Sequence, residues 1–365
     1  MNKVAIIAGS DLRNYGGGEK DIIGWTSRLK EQLDITIYSL IESANDNKHK
    51  VSKEYIERSL EGIKLIWYKG KRLRLLKDVL PYERIDVSEY DKVYSMCHGF
   101  ILNRMLRRTA KNFLIGIHVQ SMLDANPIEN KLWKRWLHFL WRIMLVHYIK
   151  KADEIRIQNL DDLARLKSIG YKGKIWNVPP RMFESTPEPL QTGEFIVVWV
   201  NRVEPEKRPE EMVRICNSMP DIEFHLIGGG SKMDVFKMLT NKKAKVMGFL
   251  TDGELAEEFM KASAYVSTSR GENFGMSAVE AQAFGVPTIV YDVMGLRDFN
   301  EFIVMNYQQA VAYIDDLHKQ FQENPEKYLE WRRDLRLKTI DRFSDKTVLP
   351  QILEMMSSNS QPPQL

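Results

Sequence analysis

The chain has 365 residues, of which 44% are hydrophobic and 28% charged, so it is long enough for two globular domains and too apolar to be disordered. The 53 basic and 49 acidic residues give a formal charge of +4, which is too balanced to indicate a nucleic-acid partner. The chain has two distant cysteines without metal-ligand spacing, no export signal and no apolar stretch of bilayer length. These features favour a cytoplasmic protein.

Short β-branched runs alternate with helical patterns through the first half of the chain, which predicts a mostly parallel sheet. The predicted strands are Val4–Ala8, Ile35–Leu40, Ile63–Tyr68, Lys92–Met96, Phe113–Val119, Asp153–Ile157 and Lys174–Val178. This alternation ends in a Pro-rich stretch from Pro179 to Gly193. We therefore expect a first domain over residues 1–180 and a linker at 181–194.

The second half restarts with a new buried strand and repeats the α/β alternation to roughly residue 315, where the chain becomes helical. Its predicted strands are Phe195–Asn201, Glu223–Ile227, Lys245–Met247, Tyr265–Thr268 and Thr288–Tyr291, and a helix is predicted over Pro209–Met219. The second domain is expected to cover residues 195–343. Two such units in tandem predict a cleft between the carboxyl ends of their strands, where ligands of parallel sheets bind.

The glycine clusters do not match a dinucleotide-binding pattern. Gly16–Gly18 would need a further glycine where Asp21 stands, and Gly228–Gly230 would need one at Met233. A P-loop is also absent after the first strand, which disfavours nicotinamide and ATP enzymes. The loop at residues 16–18 is either a site where backbone approaches a phosphate before a helix or a flexible surface turn.

The segment Ser267–Asp292 reads as a strand end, a loop, a helix from about Gly275 and the next strand. Glu272 falls in the loop and Glu280 inside the helix. Carboxylate oxygens can bridge vicinal hydroxyls, and free N–H groups at a helix start suit a phosphate or sugar oxygen. The alternative is a solvated loop glutamate and a structural helix glutamate.

The frame E-N-F-G-M-S-A-V-E-A-Q-A-F-G-V-P, which begins at Glu272, resembles the signature of family-4 retaining glycosyltransferases. The resemblance implies a GT-B fold, in which two Rossmann-like, doubly wound α/β domains face a cleft, with a nucleoside-diphosphate sugar as donor and without a metal or other cofactor. It implies that Glu272 contacts the donor sugar and that Glu280 binds the ribose hydroxyls. It further implies that the backbone of four residues holds the sugar and phosphate, namely Asn273, Phe274, Gly275 and Met276.

Arg202 and Lys207, in the stretch V-N-R-V-E-P-E-K, resemble the family's cation pair that grips the diphosphate. Fixed cations stabilise the charge that builds on the departing phosphate, and they do so more in the transition state than in the ground state. Both residues could instead be solvated surface charges. Asn201 departs from the glycine that usually precedes the arginine.

Other matches to the family are looser. The resemblance implies that Gly17 and Gly18 touch phosphate or acceptor, that Gly228 belongs to a strand-to-glycine turn, and that the backbone of Val246–Leu250 meets the base. It also implies a cleft histidine, for which we favour His118 over His98. Both histidines could simply end strands.

The linker and the C-terminus carry two further expectations. Val178-Pro179-Pro180-Arg181 stands where the family usually has a Pro-Asn-Gly turn, so the hinge is expected to differ. By the resemblance, a last helix at residues 344–356, centred on Thr347–Met356, crosses back to the N-terminal domain. The polar residues 357–365 are expected to be flexible.

Lys131–Lys151 combines three tryptophans, many aliphatic residues and basic residues, and Lys69–Lys77 is a second basic stretch. Such segments suit an anionic membrane surface, where a peripheral enzyme could meet a lipid-linked acceptor. The alternative is a helix packed on the N-terminal sheet with its lysines in solvent.

The function predicted from the sequence is sugar transfer from a nucleoside-diphosphate sugar to an acceptor, with retention of configuration. The acceptor, a glycan, a lipid-linked sugar or a small molecule, is not identified by the sequence. The rivals are an epimerase or phosphorylase on the same fold and a non-catalytic nucleotide-sugar-binding or membrane scaffold protein. The glycine patterns disfavour a dinucleotide oxidoreductase.

Overall fold

The computed structural model of the chain describes residues 1–41, 51–73, 78–97, 99–116, 132–183, 185–190 and 193–358. These residues form two compact units. The first contains Met1–Arg181 and the C-terminal segment from Thr347, and the second contains Met182–Lys346.

The described part of the N-terminal unit contains an eight-stranded sheet in the order β4-β3-β2-β1-β5-β6-β7-β8. All neighbouring strands are parallel except the antiparallel pair β3 and β4. The strands are β1 Asn2–Ala8, β2 Leu33–Ile41, β3 Lys64–Leu73, β4 Asp78–Pro81, β5 Lys92–Ser95, β6 Phe113–Gly116, β7 Glu154–Ile157 and β8 Lys174–Asn177.

Helices cover both faces of this sheet, as a parallel sheet requires. They are α1 Gly17–Leu29, α2 Lys53–Ser59, α3 Phe100–Arg107, α4 Leu132–Ile149, α5 Leu160–Ser168 and the C-terminal α11 Asp345–Ser357. One core packs Trp25 of α1, Ile56 of α2 and Ile352 of α11 on the sheet. The other packs Leu106 of α3 and Trp141 of α4, with Leu166 of α5, on the opposite face.

In the C-terminal unit, residues 182–183, 185–190 and 193–346 are described and contain a parallel six-stranded sheet in the order β11-β10-β9-β12-β13-β14. Its strands are β9 Ile196–Val200, β10 Glu223–Ile227, β11 Ala244–Gly248, β12 Ala264–Ser267, β13 Thr288–Tyr291 and β14 Phe302–Val304. Its helices are α6 Pro209–Ser218, α7 Asp252–Lys261, α8 Met276–Ala283, α9 Tyr307–Glu323 and α10 Pro325–Phe343. Both units are therefore doubly wound α/β structures.

A buried ion pair fastens α11 to the N-terminal unit. The ammonium of Lys92 lies 2.9 Å from the Glu154 carboxylate and donates to the carbonyl of Met355 and, at 3.0 Å, to the hydroxyl of Ser358. Glu154 also accepts a hydrogen bond of 2.9 Å from the Asn112 amide. Desolvation lowers the pKa of Lys92, and the Glu154 charge opposes this effect.

Some predicted boundaries were wrong. The sequence patterns missed β4 and β14, which have four and three residues and are too short for a period to be recognised. Helical structure was expected only after about residue 315, but α9 begins at Tyr307, where Asn306 caps the helix by accepting from the Gln309 N–H at 3.0 Å. The predicted strand Phe113–Val119 is described only to Gly116.

Within the described residues, no helix is both long and apolar enough to cross a membrane. The stretch predicted at Lys131–Lys151 forms α4, in which Trp141, Leu145 and Ile149 are buried. That stripe packs in the core of the N-terminal unit, as the sheet-packing alternative expected.

Candidate functional site

The candidate site lies in the C-terminal unit, where the neighbouring strands β9 and β12 end. The loop after β9 carries Arg202 and Lys207, and the loop after β12 carries Glu272. Because the strands are parallel neighbours, both loops leave the same edge of the sheet. The sequence separates Lys207 and Glu272 by 65 positions, and the sheet brings them together.

Lys207 and Glu272 form an ion pair whose side chains are 11% and 17% exposed. The Lys207 ammonium donates to Oε1 of Glu272, and the Ser269 hydroxyl donates to the same oxygen at 2.8 Å. Within the described residues, Oε2 of Glu272 accepts no hydrogen bond. Within the described residues, the protein therefore holds this carboxylate by one oxygen only.

Hydrogen bonds tie the two loops to each other. The Thr268 hydroxyl donates to the carbonyl of Lys207 at 2.7 Å and accepts from the indole N–H of Trp199 at 3.1 Å. The Arg270 N–H donates to the carbonyl of Glu206 at 2.8 Å. These bonds hold the Lys207 and Glu272 backbones in a defined relation.

Arg208, which the sequence patterns did not single out, supports the same loop. Its guanidinium donates to the carbonyls of Thr268 and Ser269 at 2.8 and 2.9 Å and lies 4.5 Å from the centre of the Tyr291 ring. Its backbone is left-handed, with φ of 47° and ψ of 57°. The only signal in the sequence was the following Pro209, which disfavours a right-handed helical conformation at the preceding residue.

Gly275 is the N-cap of α8, and its φ of 79° is a conformation that a side chain would strain. A Cβ there would also lie 2.2 Å from Cδ2 of Leu296. The first N–H groups of a helix lack intrahelical acceptors and carry the positive end of its dipole, so they can bind an anion or a sugar oxygen. Met276 is the first residue of this helix.

The side chain of Phe274, next to Gly275, packs among other aromatic rings. The Phe274 ring is buried 5.3 Å from the Phe299 ring and 5.4 Å from the Phe343 ring, measured between centroids. Phe274 can therefore contribute to a ligand site through its backbone only, which is the role that the resemblance implies. Asn273 is partly buried in the loop before it.

Gly295, also missed from the sequence, packs against the peptide that carries Glu272. Its φ is 74°, and a Cβ at this position would lie 2.5 Å from the carbonyl oxygens of Glu272 and Asn273. A glycine in a loop after a strand is usually taken as a turn residue, so its close approach to the Glu272 loop could not be recognised beforehand.

Glu280 is partly exposed on α8, and Tyr265 of β12 lies near both glutamates. The Tyr265 hydroxyl is 2.8 Å from the Ser277 hydroxyl. Burial raises the pKa of Tyr265, and the charges of Glu272 and Glu280 raise it further. The charges of both motif carboxylates therefore act on the same buried phenol.

Arg202 does not join the Lys207–Glu272 pair. Its side chain is 70% exposed and forms a surface ion pair of 2.9 Å with Glu206. The preceding Asn201 has a buried amide nitrogen without a hydrogen-bond partner in the described structure.

The glycine turn after β10 packs on the loop that carries Arg202 and Lys207. Gly228 has φ of 127°, and a Cβ there would lie 1.9 Å from the carbonyl oxygen of Asn201. Its N–H donates to the carbonyl of Gly248 at 2.7 Å. Leu250 follows β11 and is partly buried.

The other predicted residues lie in the N-terminal unit. Gly17 and Gly18 are exposed at the start of α1, and Gly16, which precedes them, provides no side-chain cap. His118 and His98 lie outside the described residues. Among the residues that the structure describes, no group of three or more His, Cys, Asp or Glu side chains could hold a metal ion.

Known proteins resemble this chain in sequence and in fold. A family model described as Glycosyl transferases group 1 matches residues 181–337. The chain is 25% identical over 273 residues to the poly(ribitol-phosphate) alpha-N-acetylglucosaminyltransferase of Staphylococcus aureus. That alignment covers 71% of this chain and 53% of the relative. It is 32% identical over 117 residues to the D-inositol 3-phosphate glycosyltransferase of Mycobacteroides abscessus, covering 29% and 26% of the two chains. These alignments span about a quarter to a half of the relatives.

Among solved structures, the chain resembles Anabaena Alr3699/HepE in complex with UDP and glucose, with a TM-score of 0.74 and 14% identity over 98% of this chain and 100% of that one. The fold is therefore GT-B, as the sequence predicted. Residues 181–337, which match the family model of the group 1 glycosyl transferases, include Lys207, Glu272 and Glu280. Membership of the retaining family 4 stays a prediction.

Proposed function

We propose that this chain transfers a sugar from a nucleoside-diphosphate sugar to an acceptor, and that its C-terminal unit binds the donor. The observation that carries the proposal is the Lys207–Glu272 pair, set on two tied loops beside the helix start at Gly275. A cation, a carboxylate with a free oxygen and a helix N-terminus match the diphosphate and hydroxyl groups of such a donor.

In this proposal Lys207 stabilises the diphosphate as it leaves. Negative charge builds on that group when the sugar bond breaks, and a cation that is already oriented and partly shielded from water favours the transition state. Arg202 can add a second cation by releasing Glu206, since an exposed ion pair contributes only about 0–1 kcal/mol. The departing phosphate accepts the acceptor's proton, which fits transfer with retention.

Glu272 and Glu280 have separate roles in the proposal. The free Oε2 of Glu272 accepts from donor-sugar hydroxyls, while Ser269 and Lys207 hold Oε1. Glu280, further along α8, accepts from the ribose hydroxyls. The backbone at Asn273–Met276 donates to the sugar and phosphate, and no metal is needed.

UDP-sugars are the donors to test first. The solved complex with Alr3699/HepE contains UDP and glucose, and the Staphylococcus aureus relative is an N-acetylglucosaminyltransferase. We propose the same nucleotide class here, with a hexose or N-acetylhexosamine as the transferred group.

The test is turnover of a panel of UDP-sugars with lipid-linked, glycan and small-molecule acceptors, with the product anomer assigned by NMR. We expect a glycosylated product with the donor's configuration. Glu272→Gln should lower turnover by roughly 100-fold or more, as loss of an oriented transition-state contact does, and Glu323→Gln on α9 is the matched control. Glu272→Gln with wild-type turnover contradicts the site, and conversion of the free nucleotide sugar without an acceptor supports the epimerase alternative.

A further inference from the structure

Helix α4 has two apolar faces, and only one of them packs on the sheet. Its buried stripe is Trp141, Leu145 and Ile149. On the opposite side, Leu140 and Ile143 are each 52% exposed, and Met144 is 44% exposed. A helix on the surface of a water-soluble domain normally has polar side chains on its outer face. This outer face therefore has the composition of an interface.

The surroundings of that face are strongly basic. Helices α3 and α4 are neighbours, because the Arg107 guanidinium donates to the Lys151 carbonyl at 3.2 Å and the Tyr148 hydroxyl donates to the Asn103 carbonyl at 2.8 Å. Exposed basic side chains lie at the ends of both helices, at Arg104, Arg108, Lys150 and Lys151.

Neither helix carries an acidic side chain. Residues 99–116 and 132–152 contain no Asp or Glu. The next two acidic residues along the chain, Asp153 and Glu154, are buried, and they pair with Arg107 and Lys92. The described side chains of α3 and α4 therefore combine exposed apolar groups with basic groups and include no acidic group.

We propose that this surface, defined by Leu140, Ile143, Met144, Lys150 and Lys151, binds an anionic lipid bilayer. The exposed apolar side chains enter the boundary between headgroups and acyl chains, and the basic ones contact lipid phosphates. A soluble polyanion would be bound by the basic residues but would gain nothing from exposed Leu and Ile. A second copy of the chain would bring like charges together. A bilayer accounts for both features, and the proposal does not depend on the donor site.

The test is flotation of the full chain with phosphatidylcholine vesicles that contain or lack phosphatidylglycerol, at low and high salt and without nucleotide. We expect recovery with phosphatidylglycerol vesicles, which high salt weakens. Lys150→Gln/Lys151→Gln should lower the ratio of bound to free protein roughly thirtyfold, which corresponds to about 1 kcal/mol for each basic residue at an anionic surface. The matched control is Lys319→Gln on α9.

Leu140→Gln/Ile143→Gln tests the apolar contribution without changing charge, and Leu337→Gln, which changes another exposed leucine, is its control. We expect at least a tenfold fall in vesicle binding, with the thermal unfolding midpoint unchanged. Flotation that is absent, or that is unaffected by the Leu140 and Ile143 changes, overturns the proposal. Binding of inorganic polyphosphate in place of vesicles, or a dimer that these changes convert to a monomer, also overturns it.

Discussion

Arg208 adopts a backbone conformation that a residue with a side chain rarely takes, and conformations of this kind cost about 1–3 kcal/mol. The side chain of this strained residue contacts the neighbouring loop. The guanidinium reaches two carbonyls in the loop that carries Glu272 and packs over Tyr291. Arg208 is therefore a positioning residue for the proposed donor site.

Replacing Arg208 by Lys keeps the charge but loses the paired hydrogen bonds, because an ammonium lacks the planar fork of a guanidinium. Small misplacements of reacting groups lower rates by about 100-fold, so kcat/KM should fall by roughly that factor in Arg208→Lys. Steady-state kinetics with Arg214→Lys, a change in an exposed arginine, as the control checks this. Equal effects of the two changes would show that Arg208 does not position the loop.

Gly295 gives a second prediction for a single residue. In Gly295→Ala the new methyl group lies 2.5 Å from the backbone of residues 272 and 273 at a φ of 74°. We expect a loss of about 1–3 kcal/mol in unfolding free energy and weaker nucleotide binding. Gly253→Ala, where nothing lies within 4 Å of the added carbon, should be neutral or stabilise by up to about 1 kcal/mol. Urea denaturation of both variants checks the contrast, and a Gly295→Ala protein as stable as wild type would contradict the close packing.

Among the elements, α11 depends on the buried Lys92–Glu154 pair. Lys92→Ala leaves the Glu154 carboxylate buried without its cation, which typically costs about 3–5 kcal/mol. Lys111→Ala, in an exposed pair 4.0 Å from Asp91, should change stability by less than about 1 kcal/mol. Denaturant unfolding measures the stability of both variants, and hydrogen exchange of residues 347–357 measures the protection of α11. Unchanged protection in Lys92→Ala would contradict the anchoring role.

The packing of β10 against α7 contains a buried charge cluster that predicts a pH dependence. His225 lies between Glu223, at 2.7 Å, and Glu258. A hydrogen bond from Lys245 is the main cause that lowers the pKa of Glu223. Burial alone would raise the pKa of Glu258, but hydrogen bonds from Lys261 and His225 outweigh it, so this pKa is also lowered.

A carboxylate whose folded pKa is lowered stabilises the fold above its unfolded value of about 4.3, and this contribution is lost as the pH falls through the folded pKa. The unfolding free energy should therefore decline below about pH 4.3, and less steeply in Glu258→Gln. Glu257→Gln, in the exposed neighbour on α7, is the control. Thermal unfolding across this pH range measures how steeply stability declines with pH. An identical decline in both variants would contradict the role given to Glu258.

For the whole molecule, the sequence predicted two doubly wound units because buried parallel strands are continuous apolar runs. It missed β4 and β14, whose few residues pair at sheet edges without a recognisable period. The motif frame singled out Glu272, and the stretch V-N-R-V-E-P-E-K singled out Lys207. Their ion pair depends on which strands are neighbours, and periodicity does not encode strand order. The contacts of Arg208 and Gly295 with the Glu272 loop depend on strand order in the same way.

We propose that the C-terminal unit binds a nucleoside diphosphate between Lys207 and the start of α8. The most direct measurement is thermal unfolding with UDP, GDP, ADP or TDP, for the wild type, Lys207→Met and the control Lys319→Met. One nucleotide, UDP by our proposal, should add about 2.7 kcal/mol to the unfolding free energy at 100 times its Kd. Lys207→Met should lose most of that stabilisation, while Lys319→Met keeps it. No stabilisation by any of the four, or equal stabilisation of wild type and Lys207→Met, would contradict the account.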